Sequence, residues 1–282
     1  MATSQQNNPP PLGILAGGGT LPRLLADTAS HQGRRIFIVA FQGQTEPETV
    51  SGYPHIWVRL GQAGETIKAL KKAEIVDLVM GGAIRRPSFS ELGLDWHGAQ
   101  LFARIGARAL GDDSMLRAVI RELEAEGFNL VGVDKILSAS PLTEGILGAH
   151  APDEQALADI ARGVRVAHAL GSIDVGQSVV VQLGLVLGVE AIEGTDALLQ
   201  RAGTLRRAGA GGVLVKIVKP SQDRRADLPT IGPKTIELAL EAGLRGIAIE
   251  MRDTIILDRN ATIAAADRAS LFLIAIDPLN FQ

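Results

Sequence analysis

Between Val213 and Gly232 the chain reads VLVKIVKPSQDRRADLPTIG, and Lys216, Lys219, Asp223, Arg224, Arg225 and Asp227 follow one another closely within it. Cations at that density can hold phosphate oxygens, and a carboxylate among them can bind a hard metal ion or position water. The chemistry to expect is phosphate chemistry. Residues 213–218 are β-branched or apolar apart from Lys216, which predicts a strand, and Pro220 ends it. Beyond the polar cluster, Thr230-Ile231-Gly232-Pro233 reads as the start of a helix with Pro at its first position, so free backbone N–H groups turn toward an anion. A solvated turn between a strand and a helix fits the same residues. Both readings stand on this stretch alone.

Glycine turns supply a second set of candidates. Leu12–Ala16 is apolar, Gly17-Gly18-Gly19 follow, Leu21–His31 has helical spacing and Ile36–Phe41 is β-rich, which makes a βαβ start. Glycines there let a phosphate or sugar approach the backbone, or simply make a tight turn. Pro22 stands where a dinucleotide fingerprint needs its third glycine, and the second strand ends in Ala40-Phe41-Gln42 with no acid for a ribose, so nicotinamide binding is disfavoured. A strand at 75–80 runs into Gly81-Gly82-Ala83-Ile84-Arg85-Arg86-Pro87, a second glycine turn at a carboxyl edge, now beside two guanidinium groups. Asp112 and Asp113, after Gly111, are helix caps or partners of a ribose or metal. Gly194-Thr195-Asp196 either grips a phosphate or caps a helix.

The elements that must position these residues alternate between strand and helix. Strands are expected at 55–60, 129–136, over a nearly continuous run at 178–192, and at 246–250, 254–258 and 271–276. Helices are expected at 65–72, 101–110, 115–126, 153–170, 197–202, 235–241 and 261–269. The alternation implies an α/β chain: a Rossmann-like parallel-sheet N-terminal domain over 12–137, a Pro- and Gly-marked linker over 138–152, and a second α/β domain over 153–282 that carries the catalytic loop. The 282 residues, 46% of them hydrophobic, are ample for two cores. A pI near 6.0 and 4% aromatics argue against nucleic acid as a partner. The absence of cysteine excludes thiolate nucleophiles and Cys-based zinc sites. The five histidines, His31, His55, His97, His150 and His168, show no paired spacing, while Asp113, Asp196 and Asp227 place oxygen ligands in turns, so hard ions are favoured over zinc. The opening MATSQQNNPPP lacks the basic start and apolar segment of a signal peptide, and a cytoplasmic setting is expected. The run 179–192, broken by Gln182 and Glu190, is too short to span a bilayer, which leaves peripheral contact with the inner membrane. Motifs of P-loop NTPases, α/β-hydrolases and zincins are absent.

Several strings together resemble one family. They are Gly13 to Gly19 with Leu21-Pro22, Gly82 with Arg86-Pro87-Ser88-Phe89, Gly111-Asp112-Asp113 with Leu116, Asp174-Val175-Gly176-Gln177, Glu193 to Ala197, and Lys216 with Lys219-Pro220 and Asp227 to Gly232. From about Leu12 to Pro278 the chain is similar to the LpxI type of UDP-2,3-diacylglucosamine pyrophosphatase. The resemblance implies metal-dependent hydrolysis of a nucleotide-lipid pyrophosphate to UMP and 2,3-diacylglucosamine 1-phosphate in lipid A synthesis, with water attacking the phosphorus nearer the sugar and a lipid held between two domains. It puts the essential aspartate at Asp227, assigned to metal binding or water positioning, with Mg2+ or Mn2+ as the ion. Lys216 and Lys219 then supply phosphate charge, and Thr195 and Thr230 hydrogen bonds. Gly18, Gly19, Gly82, Arg86, Gly111, Asp112, Asp113, Gln177 and Asp196 complete the expected substrate-binding set. Ala83 departs from the pattern, which has Asn after the glycine, and this puts a side-chain contact there in doubt. The partner expected is a nucleotide-lipid substrate, with a homodimer left open. The rival readings are a non-catalytic nucleotide-sugar or nucleotide-lipid binding protein and a nicotinamide-dependent reductase.

Overall fold

The computed structural model describes residues 9–85, 92–105, 112–138, 141–220 and 222–281. They form two compact units: the first takes residues up to 139 together with Asp223–Asp227, and the second takes 140–222 and the chain from Leu228 onward.

In the first unit, β1 (Leu12–Ala16), α1 (Leu21–His31) and β2 (Ile36–Phe41), then, past a short unexpected α2 (Pro47–Val50), β3 (His55–Val58), α3 (Ala63–Lys72) and β4 (Asp77–Gly81) follow the expected alternation. Then come α4 (Trp96–Ile105), α5 (Asp112–Ala125), β5 (Asn129–Leu130) and α6 (Val133–Leu137). The sheet order is β3-β2-β1-β4-β5 with every neighbouring pair parallel. Covered on both faces, β1 and β4 are buried at every position; β1 is apolar throughout, while β4 opens on Asp77, which pairs with Arg34. Ile67 and Leu70 of α3 and Ile120 and Leu123 of α5 share one core with Leu15, Val39 and Leu78. Strand order reverses on either side of β1, so the carboxyl ends of β1 and β4 flank a topological switch point. Both glycine turns sit there.

The strand expected at 129–136 stops at Leu130, and α6 takes over behind Gly132. Val133 and Ile136 alternate poorly for a strand but lie three apart, and both are buried on one helical face. The helix expected at 101–110 begins earlier, at Trp96.

The second unit holds β6 (Gly145–Ile146), α7 (Glu154–Ser172), β7 (Ser178–Gln182), β8 (Leu185–Val189), α8 (Gly194–Thr204) and β9 (Val213–Lys216). After these come β10 (Thr230–Ile231), α9 (Pro233–Glu241), β11 (Gly246–Glu250), β12 (Ile255–Ile256), α10 (Arg259–Arg268) and β13 (Phe272–Ile276). The main sheet has the order β6-β13-β11-β9-β7-β8, parallel from β13 to β9 and antiparallel at both flanks. α7 packs its Ile160, Val164 and Ala167 against one face, while Leu198, Leu199, Ile236 and Ala266 of the other helices bury on the opposite face. Asp153 caps α7, accepting from the Ala156 N–H at 2.8 Å.

The run 178–192 is a hairpin rather than one strand. Leu183 and Gly184 both take positive φ, the geometry of a two-residue hairpin turn. Fully buried Asp159 of α7 accepts from both their N–H groups, at 3.0 and 2.7 Å. A carboxylate thus does what an Asn-Gly pair does elsewhere. Among the described residues no helix is long and apolar enough to cross a membrane.

Candidate functional site

The second unit gathers polar side chains at one edge of its sheet, and strand register alone accounts for most of the gathering. Antiparallel β7 and β9 place Ser178 opposite Lys216. The Glu190 N–H, just past β8, donates to the Ser178 carbonyl at 2.8 Å. Thr195 enters from the first turn of α8. Lys216 Nζ donates to Thr195 Oγ1 at 2.6 Å and, at a long 3.4 Å, to Ser178 Oγ. Thr195 Oγ1 in turn donates to Glu190 Oε1 at 3.0 Å. Lys216 is only 5% exposed and Glu190 8%, yet among the described residues no carboxylate pairs directly with Lys216. Glu190 Oε2 and Gln177 Oε1 are buried with no donor among the described residues. A desolvated ammonium whose partners among the described residues are hydroxyls is able to bind an anion, because those contacts do not neutralise its charge.

The Asp174-Val175-Gly176-Gln177 string serves this edge residue by residue. Asp174, itself at positive φ, pairs with Lys219 at 2.7 Å, both side chains largely buried. A Cβ on Gly176 would stand 2.0 Å from the Glu190 carbonyl oxygen, so only glycine admits the Glu190 backbone here. The Gln177 carbonyl accepts from the Ile217 N–H at 3.0 Å. The chain beyond β9 is held further where Glu250 Oε2 accepts from the Val218 N–H at 2.8 Å and Gln222 Oε1 from the Lys219 N–H at 3.1 Å. Lys219 is thus part of an ion pair, in contrast to Lys216.

Asp196 faces elsewhere: its carboxylate meets Lys234 at 2.6 Å on the surface, and that hydrogen bond raises the Lys234 pKa. The Glu193 carboxyl, bonded to its own backbone N–H and paired with Arg201, titrates below the usual range and occupies the start of α8. Thr230 Oγ1 donates to the Leu228 carbonyl at 3.0 Å, and the Gly232 N–H at the start of α9 donates to Thr235 Oγ1 at 3.2 Å.

In the first unit the two glycine turns are stitched to each other. Gly18 and Ala83 exchange backbone hydrogen bonds at 2.8 and 3.0 Å, and a Cβ on Gly17 or Gly82 would meet the opposite turn's backbone at 2.7 or 2.5 Å. The bridge at Ala83 is made by backbone, so any side chain there would keep it. The Gly19 N–H faces both carboxylate oxygens of Glu46 at 3.0 Å, an acid that sequence spacing did not suggest. Arg86 and Gly111 lie outside the described residues, as do the side chains of Asp112 and Asp113, whose backbone opens α5.

The segment Asp223–Asp227 also belongs to this unit. Arg225 bridges Asp223 at 2.9 Å and Glu124 at 2.7 Å, and Ala226 packs on the core of the unit. The Arg225 hydrogen bond holds the Asp223 carboxyl below its ordinary pKa, and the two acids push Arg225 upward. The half-buried Asp227 donates its N–H to the Asp223 carbonyl at 3.1 Å.

A metal-capable group appears on α4 and α5, where ligand atoms of His97, Glu122 and Glu126 lie within 4.8 Å of one another. Its carboxylates are already engaged: Glu122 by His97 at 2.8 Å and Arg104 at 3.2 Å, Glu126 by Lys71 at 2.5 Å. Sequence spacing could have shown only the four-residue step from Glu122 to Glu126, since His97 joins them across two helices. Asp227 belongs to no group of three such ligands among the described residues.

Comparison with known proteins bears on both units. The family models for the LpxI N-terminal domain and the LpxI C-terminal domain match residues 11–140 and 143–274. UDP-2,3-diacylglucosamine pyrophosphatase LpxI of Caulobacter vibrioides is 42% identical over 275 residues, covering 95% of this chain and 98% of that protein. Solved structures are more distant. CobK precorrin-6A reductase is 13% identical over 95% of this chain and 88% of that one, with a TM-score of 0.38. The Bordetella bronchiseptica enzyme WbmG in complex with NAD is 16% identical over 44% and 37%, with a TM-score of 0.31. Neither likeness is close enough to inform the site. With both domain models matched in order and a curated relative alike nearly end to end, the chain belongs to the LpxI family.

Proposed function

We propose that this protein hydrolyses the pyrophosphate of UDP-2,3-diacylglucosamine to UMP and 2,3-diacylglucosamine 1-phosphate, a step of lipid A synthesis. The observation that carries the reading is the 42% identity, over 98% of its length, to a protein named for that activity. Within the fold, the Lys216 ammonium supports it, buried and held by the hydroxyls of Thr195 and Ser178. Pyrophosphate cleavage calls for charge neutralisation and an oriented water more than for a covalent nucleophile. Water adds to the phosphorus nearer the sugar, the bond from that phosphorus to the bridging oxygen breaks, and UMP departs with the bridging oxygen. Lys216 stabilises the charge that gathers on the phosphoryl oxygens. Lys219, paired with Asp174, holds the chain beyond β9 in place and adds a second, partly neutralised charge. Asp227 orients the water or binds the ion.

Mg2+ is the ion we assign, with Mn2+ able to replace it. One carboxylate fits Mg2+, which keeps several waters and takes its other ligands from substrate phosphates. The His97, Glu122 and Glu126 group fits it less well, because Lys71 and Arg104 already neutralise its acids. When bound, the ion supplies charge neutralisation on the phosphate oxygens. The setting we assign is cytoplasmic, with peripheral contact at the inner membrane where the lipid substrate resides.

The test is release of UMP from the purified protein with substrate and magnesium, repeated with Lys216→Ala. Loss of a transition-state charge contact predicts a kcat lower by about 100- to 1,000-fold. No UMP from the wild type would favour a binding protein, and a fully active K216A would remove Lys216 from the chemistry.

A further inference from the structure

Resting on that reading of Lys216, we infer that Glu190 is a positioning residue for it, acting through the hydroxyl of Thr195. Thr195 has one hydroxyl proton and two lone pairs, and a carboxylate can only accept. The 3.0 Å contact to Glu190 Oε1 therefore takes the proton of Thr195, and the 2.6 Å contact from Lys216 Nζ falls on a lone pair. Ser178 Oγ also lies 3.3 Å from Thr195 Oγ1, where either hydroxyl could donate. With the Thr195 proton on the shorter contact to Glu190, Ser178 is the donor of that pair, and the chain runs from Lys216 to Thr195 to Glu190. Thr195 then has no proton for a phosphate and, on this inference, serves to aim the ammonium instead.

Glu190 is 8% exposed, Lys216 5% and Ser178 fully buried, so the groups around the half-buried Thr195 hydroxyl are themselves shielded from water. The backbone fixes both ends: the Glu190 N–H bonds the Ser178 carbonyl, Ser178 pairs with Lys216 in the sheet, and Gly176 lets the Glu190 carbonyl approach to a distance no Cβ would permit. A purely structural carboxylate would satisfy both oxygens, whereas Glu190 Oε2 has no donor among the described residues. The acceptor is retained at a cost to the fold, at the edge where the Thr195 proton must be held away from the ammonium.

The experiment is a cycle of Glu190→Ala, Glu190→Gln, Thr195→Val and the double variant E190A/T195V, with kcat and KM for UDP-2,3-diacylglucosamine and the thermal midpoint of each. Losing one charge-assisted hydrogen bond predicts a fall in kcat of about 10- to 100-fold for E190A, with KM changed much less. E190Q keeps an acceptor oxygen for the Thr195 proton and should recover most of that loss. Because the two residues act in series, the double variant should be no slower than the slower single variant by more than about threefold. A folded E190A with wild-type kcat overturns the inference, as do an E190Q as slow as E190A and losses that multiply in the double variant. Should E190A unfold, T195V with wild-type kcat overturns it, and a slow T195V beside a fast E190Q upholds it. K216A separates the two levels: if it stays active the phosphate reading itself fails, while an inactive K216A beside an unaffected E190A sinks only the part given to Glu190.

Discussion

Replacing Gly176 by alanine tests the site through sterics alone, without touching a charged group. The added Cβ would lie 2.0 Å from the Glu190 carbonyl oxygen and 2.7 Å from its carbonyl carbon, where real Cβ contacts stay beyond 3.0 Å. Both atoms are backbone, so no rotamer change relieves the clash, and the strands must part by at least about 1 Å. Overpacking of this kind costs about 1–3 kcal/mol, which for a unit of this size lowers the thermal midpoint by roughly 2–10 °C. The displaced residue is the one that directs Thr195 and Lys216, and a misplacement of about 1 Å at a catalytic group slows chemistry by about 100-fold. The expected variant is therefore folded and modestly destabilised, with kcat down by about two orders of magnitude. Scanning calorimetry and initial rates of UMP release measure the two effects. A variant with wild-type rate and midpoint would show that the Gly176 contact sets nothing at this edge.

Asp227→Ala should leave a folded protein with kcat down by at least about 100-fold, because the role proposed for this half-buried loop carboxylate lies in the transition state; near-normal turnover would remove it from the mechanism. Chelation with EDTA should abolish hydrolysis and magnesium restore it, whereas full activity after exhaustive chelation, or zinc co-purifying at one equivalent, would mean a different site. Asp159→Ala strips two turn N–H groups of their buried acceptor and should cost about 2–3 kcal/mol in urea unfolding. A loss below about 0.5 kcal/mol would show that the hairpin turn holds itself.

The sequence was most legible where the backbone is punctuated locally. The glycine turns after β1 and β4, the cap at Asp153 and the Pro-led start of α9 are each declared by a few adjacent residues. The parallel first sheet follows from short, mostly apolar strands separated by amphipathic helices. What local strings could not convey is register. Glu190 looked like an interruption in an apolar run, and its place beside Lys216 and Thr195 depends on the hairpin at Leu183-Gly184, which a distant carboxylate, Asp159, stabilises. The return of Asp223–Asp227 to the first unit was hidden for a similar reason: it rests on Arg225 reaching Glu124, far back in the chain.

The same distinction separates the charged groups of the opening stretch by what they can do. Arg225 is paired with Asp223 and Glu124 and Lys219 with Asp174, so their charges hold chain segments in place and are mostly cancelled before a ligand arrives. Lys216 reaches its counter-charge only through a hydroxyl, and a bridged pair leaves more of the ammonium's field available than a direct one does. Two cations three residues apart on one strand end therefore serve different ends: the sheet register gives Lys216 an oxygen that accepts without neutralising, and the positive-φ turn at Asp174 gives Lys219 a partner that neutralises. Charge density in a sequence points to a phosphate site, and the partner of each charge decides which of them act on the phosphate.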